Sequence, residues 1–140
     1  MIKTNKLPGN ILDLLPRAGE YLKAHPKVIF AYLFGGLAKH KPFPLSDVDI
    51  AVYLMRGSNF AECKMDMIGR LTDILHTDEI DLVILNRADL SLVMNIIKSK
   101  KIIMDKNPFE RHMFESLIMR KSFDFSFKEL SQLRRRYLRG

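Results

Sequence analysis

Two glycines that directly follow an apolar run constrain this chain more than any other feature. Residues 27–34, KVIFAYLF, are mostly β-branched and aromatic, which predicts a buried strand, and Gly35 and Gly36 end that strand abruptly. Glycine lets the backbone approach a ligand closely, and the exposed N–H groups suit phosphate oxygens. Most glycine pairs after a strand are simple turns, so this pair predicts a phosphate site only together with other features.

Acidic residues on the next two predicted strands supply such features. Asp47 and Asp49 lie two positions apart in the predicted strand 47–54, so their carboxylates project from the same face. Asp81 lies in the otherwise apolar run 80–85, where an unpaired buried carboxylate would be costly. Mg²⁺ prefers oxygen ligands and would neutralise these like charges. We expect the three carboxylates to converge on one end of a sheet, although each acid alone could equally be a solvated surface residue.

Helical and strand periodicities alternate along the chain, which predicts an α/β (α+β) fold. A fourth, short strand is expected at 101–104. Asp13, Asn59, Asn86 with Asp89, and Asn107 are the expected helix starts, and a basic helical segment is expected from about 107 to 138. This last segment either breaks near 123–127 or runs through. The inner face of the helix after Asn59 is expected to carry Ala61, Met65, Ile68, Thr72 and Leu75.

Composition limits the class of protein. The 140 residues are 47% hydrophobic and 28% charged, which is sufficient for one packed domain spanning 1–140. A single cysteine, Cys63, excludes an intrachain disulfide and a cysteine-based zinc site. No apolar run approaches the roughly 18 residues of a membrane span, and the first residues have no hydrophobic signal-peptide stretch. We therefore expect a soluble protein in the cytoplasm.

The excess positive charge lies in the last third of the chain. Residues 98–140 hold 12 basic and 5 acidic side chains, which accounts for the whole net charge of +7. The same segment contains Phe123, Phe125 and Phe127, which either pack in the core or form an exposed apolar patch for a partner. It has no groove-binding or base-stacking motif, so direct nucleic-acid binding is not expected. We expect a protein-docking surface here, separate from residues 35–81.

Taken together, the glycines and acids resemble a nucleotidyltransferase signature. In the DNA polymerase β superfamily, Gly-Ser is followed after ten residues by Asp-x-Asp, and a third acid lies on a later strand. Here Ala38 and Ser46 match as well as the acids, and the third acid stands in Ile80-Asp81-Leu82. The stretch GGLAKHKPFPLSDVDIAVYL is similar to the minimal nucleotidyltransferases, the antitoxins of HEPN/MNT toxin–antitoxin pairs.

This resemblance implies a small mixed sheet flanked by helices and an ATP triphosphate lying over the glycine turn. The nucleotide-binding residues it implies are Gly35, Gly36, Lys39 and Ser46. The catalytic residues and Mg²⁺ ligands it implies are Asp47, Asp49 and Asp81, with Asp81 also helping to deprotonate the attacking hydroxyl. The implied reaction transfers AMP from ATP to a tyrosine of a cognate HEPN ribonuclease toxin.

Two departures from the family pattern weaken the implied phosphate contacts. Gly36 stands where the family has serine, so one hydroxyl is missing. Lys39 and His40 replace Arg-Gly, which keeps a positive charge but loses the bidentate guanidinium. The alternative is therefore a catalytically weak antitoxin of the same fold that neutralises its toxin by binding.

Overall fold

The structure, a computed structural model, describes residues 8–38 and 47–138. Its elements, in chain order, are α1 (Ile11–Ala24), β1 (Val28–Phe34), α2 (Gly35–Ala38), β2 (Val48–Leu54), α3 (Phe60–Leu75), β3 (Ile80–Ile84), α4 (Leu90–Ser99), β4 (Lys101–Asp105) and α5 (Pro108–Leu138). The expected α+β fold and the four expected strands are confirmed. The helix after β1, α2, is a single turn.

The four strands form one mixed sheet in the order β3-β2-β1-β4. Strand β1 runs antiparallel to both of its neighbours, β2 and β4, whereas β2 and β3 run parallel. Because of these strand directions, the last residue of β1 and the first residues of β2 and β3 lie at the same end of the sheet. The glycine turn that follows β1 is therefore brought to the same end of the sheet as the acids of the next two strands.

Both faces of the sheet are covered, which explains why the strands appear as nearly continuous apolar runs. On one face, Leu22 of α1 and Met67 of α3 pack with Ile50 and other strand residues. On the other face, Phe30 of β1 packs with Ile96 of α4 and with Ile118 of α5. Successive strand residues alternate between these two faces.

The expected inner face of α3 is confirmed at Leu75 but wrong at Ala61 and Met65, and Ile68 and Thr72 are only half-buried. Met65 is 74% exposed and Ala61 is exposed, while the buried residues are Met67, Leu71 and Leu75. Both sets of positions have helical spacing, so periodicity alone does not choose between them, and contact with the sheet and α1 decides the buried set. The expected cap is confirmed, because the Asn59 side chain accepts a hydrogen bond from the Glu62 amide.

Two of the expected helix starts are also wrong. Helix α1 begins at Ile11, so Asp13 lies in its first turn and does not cap it, and Pro16 lies inside the helix. Asn86 does not cap α4, which begins after Asp89. Instead, the Asn86 side chain donates to the Leu54 carbonyl and accepts from the Leu54 amide, both at 2.9 Å. This amide therefore joins the loop after β3 to the end of β2.

Helix α5 starts as expected and runs without a break over 31 residues. The Asn107 side chain accepts from the Glu110 amide at 3.1 Å, and Pro108 occupies the first helical position. The Ser126 hydroxyl donates to the Ser122 carbonyl within the helix and starts no new one. Within the described ranges, no helix combines the length and the apolar character needed to cross a membrane.

Candidate functional site at one end of the sheet

Strand pairing brings the glycine turn and two of the expected acids together. Phe34, the last residue of β1, pairs with Asp49 on β2, and Asp49 pairs in turn with Asp81 on β3. Gly35 follows Phe34 directly. Neighbouring strands lie roughly 4.8 Å apart, so the two paired acids are close enough to act on a single ligand.

The two paired acids also point to the same face of the sheet. On β2, Ile50 packs on the face covered by α1 and α3, and Ala51 packs on the face covered by α4 and α5. Because neighbouring residues of a strand point to opposite faces, Asp49 points to the same face as Ala51. On β3, Leu82 packs on the face covered by α1 and α3, and Asp81 points to the opposite face together with Val83. Both carboxylates are therefore on the face covered by α4 and α5.

Gly35 is tied to Asp49 by direct contact. Its φ of 74° lies in the left-handed region that favours glycine. A Cβ at this position would also overlap the Oδ2 atom of Asp49. Both the conformation and the space therefore require glycine here, and the Asp49 carboxylate rests directly on the backbone at the end of β1. Gly36, in contrast, lies within the helical turn α2.

The three acids differ in exposure. Asp47 directly precedes β2 and is half-buried, as is Asp49, and both already make interactions within the protein. Asp81 is exposed and is the most accessible of the three. This gradient suits a site in which the first two acids hold a ligand and the third meets an incoming one. The expected nucleotide-binding residues Lys39 and Ser46 lie outside the described residues.

The donor set suits a hard divalent cation, because carboxylate oxygens are the ligands that Mg²⁺ prefers. The contact of Asp49 Oδ2 with Gly35 shows that this carboxylate faces the glycine turn. Over residues 8–38 and 47–138, no three His, Cys, Asp or Glu side chains are grouped so that they could hold a metal ion. The triple ligand set of Asp47, Asp49 and Asp81 therefore stays a prediction.

A groove that the sequence did not indicate runs along the outer edge of β3. It has a volume of about 440 Å³, and its walls include Asp81, Phe60 and Lys64. Arg87 also lines it, with its guanidinium carbon 4.7 Å from the centre of the Phe60 ring. These residues are up to 27 positions apart and belong to no motif, so no signal in the sequence would have identified them.

A buried ionic cluster joins the first half of α5 to β4 and to the residue that precedes it. Arg111 donates to Asp105 at 2.6 Å and to Glu115 at 2.8 Å, and the Lys100 ammonium also contacts Glu115. The Tyr32 hydroxyl donates to Glu115 at 3.0 Å. Burial raises the pKa of Tyr32, so its hydroxyl stays protonated and keeps this role as a donor. Burial also lowers the pKa of Lys100.

The sequence profile of the family described as "Polymerase beta, Nucleotidyltransferase" matches residues 18–109, which is more than half of the chain. The chain therefore belongs to the polymerase beta nucleotidyltransferase family. The matched region contains the glycine turn, the three acids and all four strands. No functionally curated protein sequence matches the chain.

Several solved structures that share this fold come from toxin–antitoxin complexes. One, a toxin–antitoxin with AMP-PNP, is similar with a TM-score of 0.66 and 22% identity, over 89% of this chain and 94% of that chain. A second, a tri-AMPylated Shewanella oneidensis HEPN toxin in complex with MNT antitoxin, gives 0.56 and 22%, over 90% and 94%. A third, the toxin–antitoxin MntA-HepT, gives 0.55 and 23%, over 90% and 95%. The resemblance in fold implied by the sequence is thus confirmed.

Proposed function

We propose that this protein is an antitoxin that transfers AMP from ATP to a tyrosine hydroxyl of a cognate HEPN-type ribonuclease and so silences it. The observation that carries the proposal is the register of Asp49 and Asp81 beside Gly35, at one end of the sheet. Family membership supports the reaction class. The fold shared with a toxin–antitoxin bound to AMP-PNP, and with a complex whose toxin is tri-AMPylated, supports the nucleotide and the acceptor.

In the proposed reaction, the tyrosine oxygen attacks the α-phosphorus of ATP. A new oxygen–phosphorus bond forms, the bond from the α-phosphorus to the bridging oxygen breaks, and pyrophosphate leaves. The proton of the tyrosine passes to the Asp81 carboxylate, which is the exposed acid of the three. Gly35 gives the triphosphate close access to the backbone, because no side chain stands between them.

Asp47 and Asp49, together with Asp81, would hold Mg²⁺ in this proposal. Bound there, the ion would offset the negative charge of the carboxylates and of the triphosphate. The protein fixes the positions of the carboxylates, because Asp49 and Asp81 lie on adjacent strands and Asp49 also contacts the glycine turn. Because the reaction consumes ATP, we propose that it takes place in the cytoplasm.

The test is AMP transfer to a HEPN ribonuclease encoded in the same genome. The wild-type protein, with ATP and Mg²⁺, is expected to add the mass of AMP to a tyrosine of that toxin. Asp81→Asn should lower the rate by roughly 10²- to 10⁴-fold, which is the usual contribution of a positioned base. Asp73→Asn is the matched control, since Asp73 is an exposed acid on α3. Equal rates for the two variants would refute the assigned role of Asp81.

A second candidate function is neutralisation by binding alone, and Gly36 favours it because the expected phosphate-contacting hydroxyl is absent. Gly36 lies in the helical turn α2, so a serine there needs no unusual backbone conformation. Gly36→Ser should therefore raise any transfer rate by restoring a hydrogen bond to a charged acceptor, worth roughly 1–3 kcal/mol. The ratio of single-turnover rates measures this gain. A toxin that the wild-type protein inhibits fully without ATP would favour the binding function.

A further inference from the structure

Strand β3 has an open edge within the part of the chain that the structure describes, because it pairs with β2 alone. Two hydrogen bonds fix which of its backbone groups face β2. The Val48 amide donates to the Glu79 carbonyl and the Leu85 amide donates to the Val52 carbonyl, each at 2.9 Å. Odd-numbered residues of this segment therefore bond to β2.

Because the backbone groups of a parallel strand alternate in direction, the even-numbered residues turn outward. Ile80, Leu82 and Ile84 thus direct their N–H and C=O groups to the outer edge. The Ile84 carbonyl accepts from the Arg87 amide at 3.2 Å, which agrees with this orientation. The amides of all three residues lie along one edge that could pair with a further strand.

The groove of about 440 Å³ lies along this same edge. Its volume falls in the range of roughly 300–1,000 Å³ that is typical of ligand clefts. Its four charged side chains balance, with Lys64 and Arg87 against Asp81 and Asp89. A groove without net positive charge is poorly suited to a nucleic acid, whereas unpaired strand groups suit an extended polypeptide.

We propose that the open edge of β3 binds an extended segment of the partner protein as an added β-strand. Asp81, the second residue of β3, lies both in the groove and in the candidate active site, so the added strand would bring its acceptor tyrosine to this carboxylate. The inference rests on the proposed function for the identity of the acceptor. It adds the way in which a protein acceptor reaches the site.

Arg87 gives the groove a preference for an aromatic side chain. Its guanidinium lies over the Phe60 ring, and the residue is exposed. A planar guanidinium can stack on a second aromatic ring from its free side. A docked strand with an aromatic residue near Arg87 is therefore favoured over one without it.

Amide hydrogen exchange on the complex with the HEPN toxin tests the added strand directly. The outward amides of Ile80 and Leu82 should exchange slowly only in the complex, by roughly tenfold or more relative to the free protein. The inward amides of Asp81 and Val83 are the internal control, because they are protected by β2 in both states. Protection that appears only in α5, with Ile80 and Leu82 unchanged, would overturn the proposal.

Acceptor kinetics separate the docking from the chemistry. Arg87→Ala should raise KM for the toxin by roughly three- to thirtyfold, the range expected for loss of a cation–π contact, and leave KM for ATP unchanged. Arg17→Ala, at an exposed position on α1, is the matched control. An unchanged toxin KM for Arg87→Ala would overturn the aromatic preference.

The two proposals fail in different ways. AMP transfer without protection of Leu82 would overturn the added strand and leave the enzyme standing. Protection of Leu82 without any AMP transfer would refute the transfer and leave strand docking standing. Peptides that span the target tyrosine and carry N-methyl groups on alternate amides sharpen the first result, because only the set that faces β3 should fail to bind.

Discussion

The two halves of α5 differ in which of their side chains are buried. In the first half, Arg111 and Glu115 are only 9% and 7% exposed. In the second half, Phe123, Phe125 and Phe127 are 65%, 57% and 60% exposed. Charged side chains are buried where the helix lies on the sheet, and the three phenylalanines of the second half are exposed beyond it.

Length explains this reversal. A helix of 31 residues is roughly 46 Å long at 1.5 Å per residue, whereas a strand of seven residues spans roughly 23 Å. The sheet therefore supports only the first half of α5. The difference shows that burial along this helix is set by what lies beneath it, and that its second half has no partner of its own among the described residues.

The largest expected effect comes from removing a buried charge in the first half. Glu115→Ala should lower the free energy of unfolding by roughly 3–5 kcal/mol, because Arg111 and Lys100 would lose their shared carboxylate. Urea denaturation measures this change. Glu129→Ala, the control in the exposed half, should change stability by no more than about 0.5 kcal/mol. Equal losses would mean that the two halves do not differ in the way described.

The next effect concerns binding. Phe123 and Phe127 lie one turn apart with ring centres 5.4 Å from each other, and together they form an exposed aromatic patch. Replacing both with Ala should weaken the complex with the toxin by about 2 kcal/mol, or roughly 30-fold, as expected for interface hot spots. Calorimetric titration measures the loss.

Stability provides the check on that result. Because both rings are exposed, the free energy of unfolding of the double variant should lie within about 0.5 kcal/mol of that of the wild type. Met65→Ala, at a 74% exposed position on α3, is the control for loss of surface apolar area. If the double variant binds the toxin at full strength, the interface lies elsewhere, and the exposed second half of α5 is not the binding surface.

The smallest effect should come from the charges of the second half. Arg135 is exposed near the end of α5, and Phe125 is exposed nearly three turns earlier. Arg135→Ala should slow association by a few fold at low salt, with the difference fading above roughly 0.15 M salt. Stopped-flow measurements at several salt concentrations distinguish this steering from direct contact. Phe125→Ala should instead speed dissociation.

Much of the candidate site could be predicted because its signals are local. An apolar run followed by Gly35 marks the end of a strand, and Asp47 and Asp49 stand in the next such run. The convergence of Asp81 with Asp49 was expected from the strand spacing and the family signature, but the register that pairs the two residues is a long-range contact that local signals do not specify. The open edge of β3 and the stacking of Arg87 on Phe60 depend on the three-dimensional arrangement and could not be predicted.

The predictions about the fold that were wrong also failed because they depend on long-range contacts. On α3, two sets of apolar positions fit a helical period, and only the packing partner selects Met67 over Met65. Asn86 has the composition of a helix cap, but the backbone of Leu54 offers it two hydrogen bonds instead. The fate of Phe123 and its neighbours depends on where the sheet ends, which the helix's own residues do not encode.

The contact between Gly35 and Asp49 has a consequence for the order in which this chain can change. While the carboxylate at 49 keeps its place, any side chain at 35 would overlap it. A larger residue at 35 therefore requires the carboxylate at 49 to move away or to be replaced by a smaller side chain. In any descendant of this sequence, a side chain at 35 would thus mark a site in which the acid beside it has been displaced or lost.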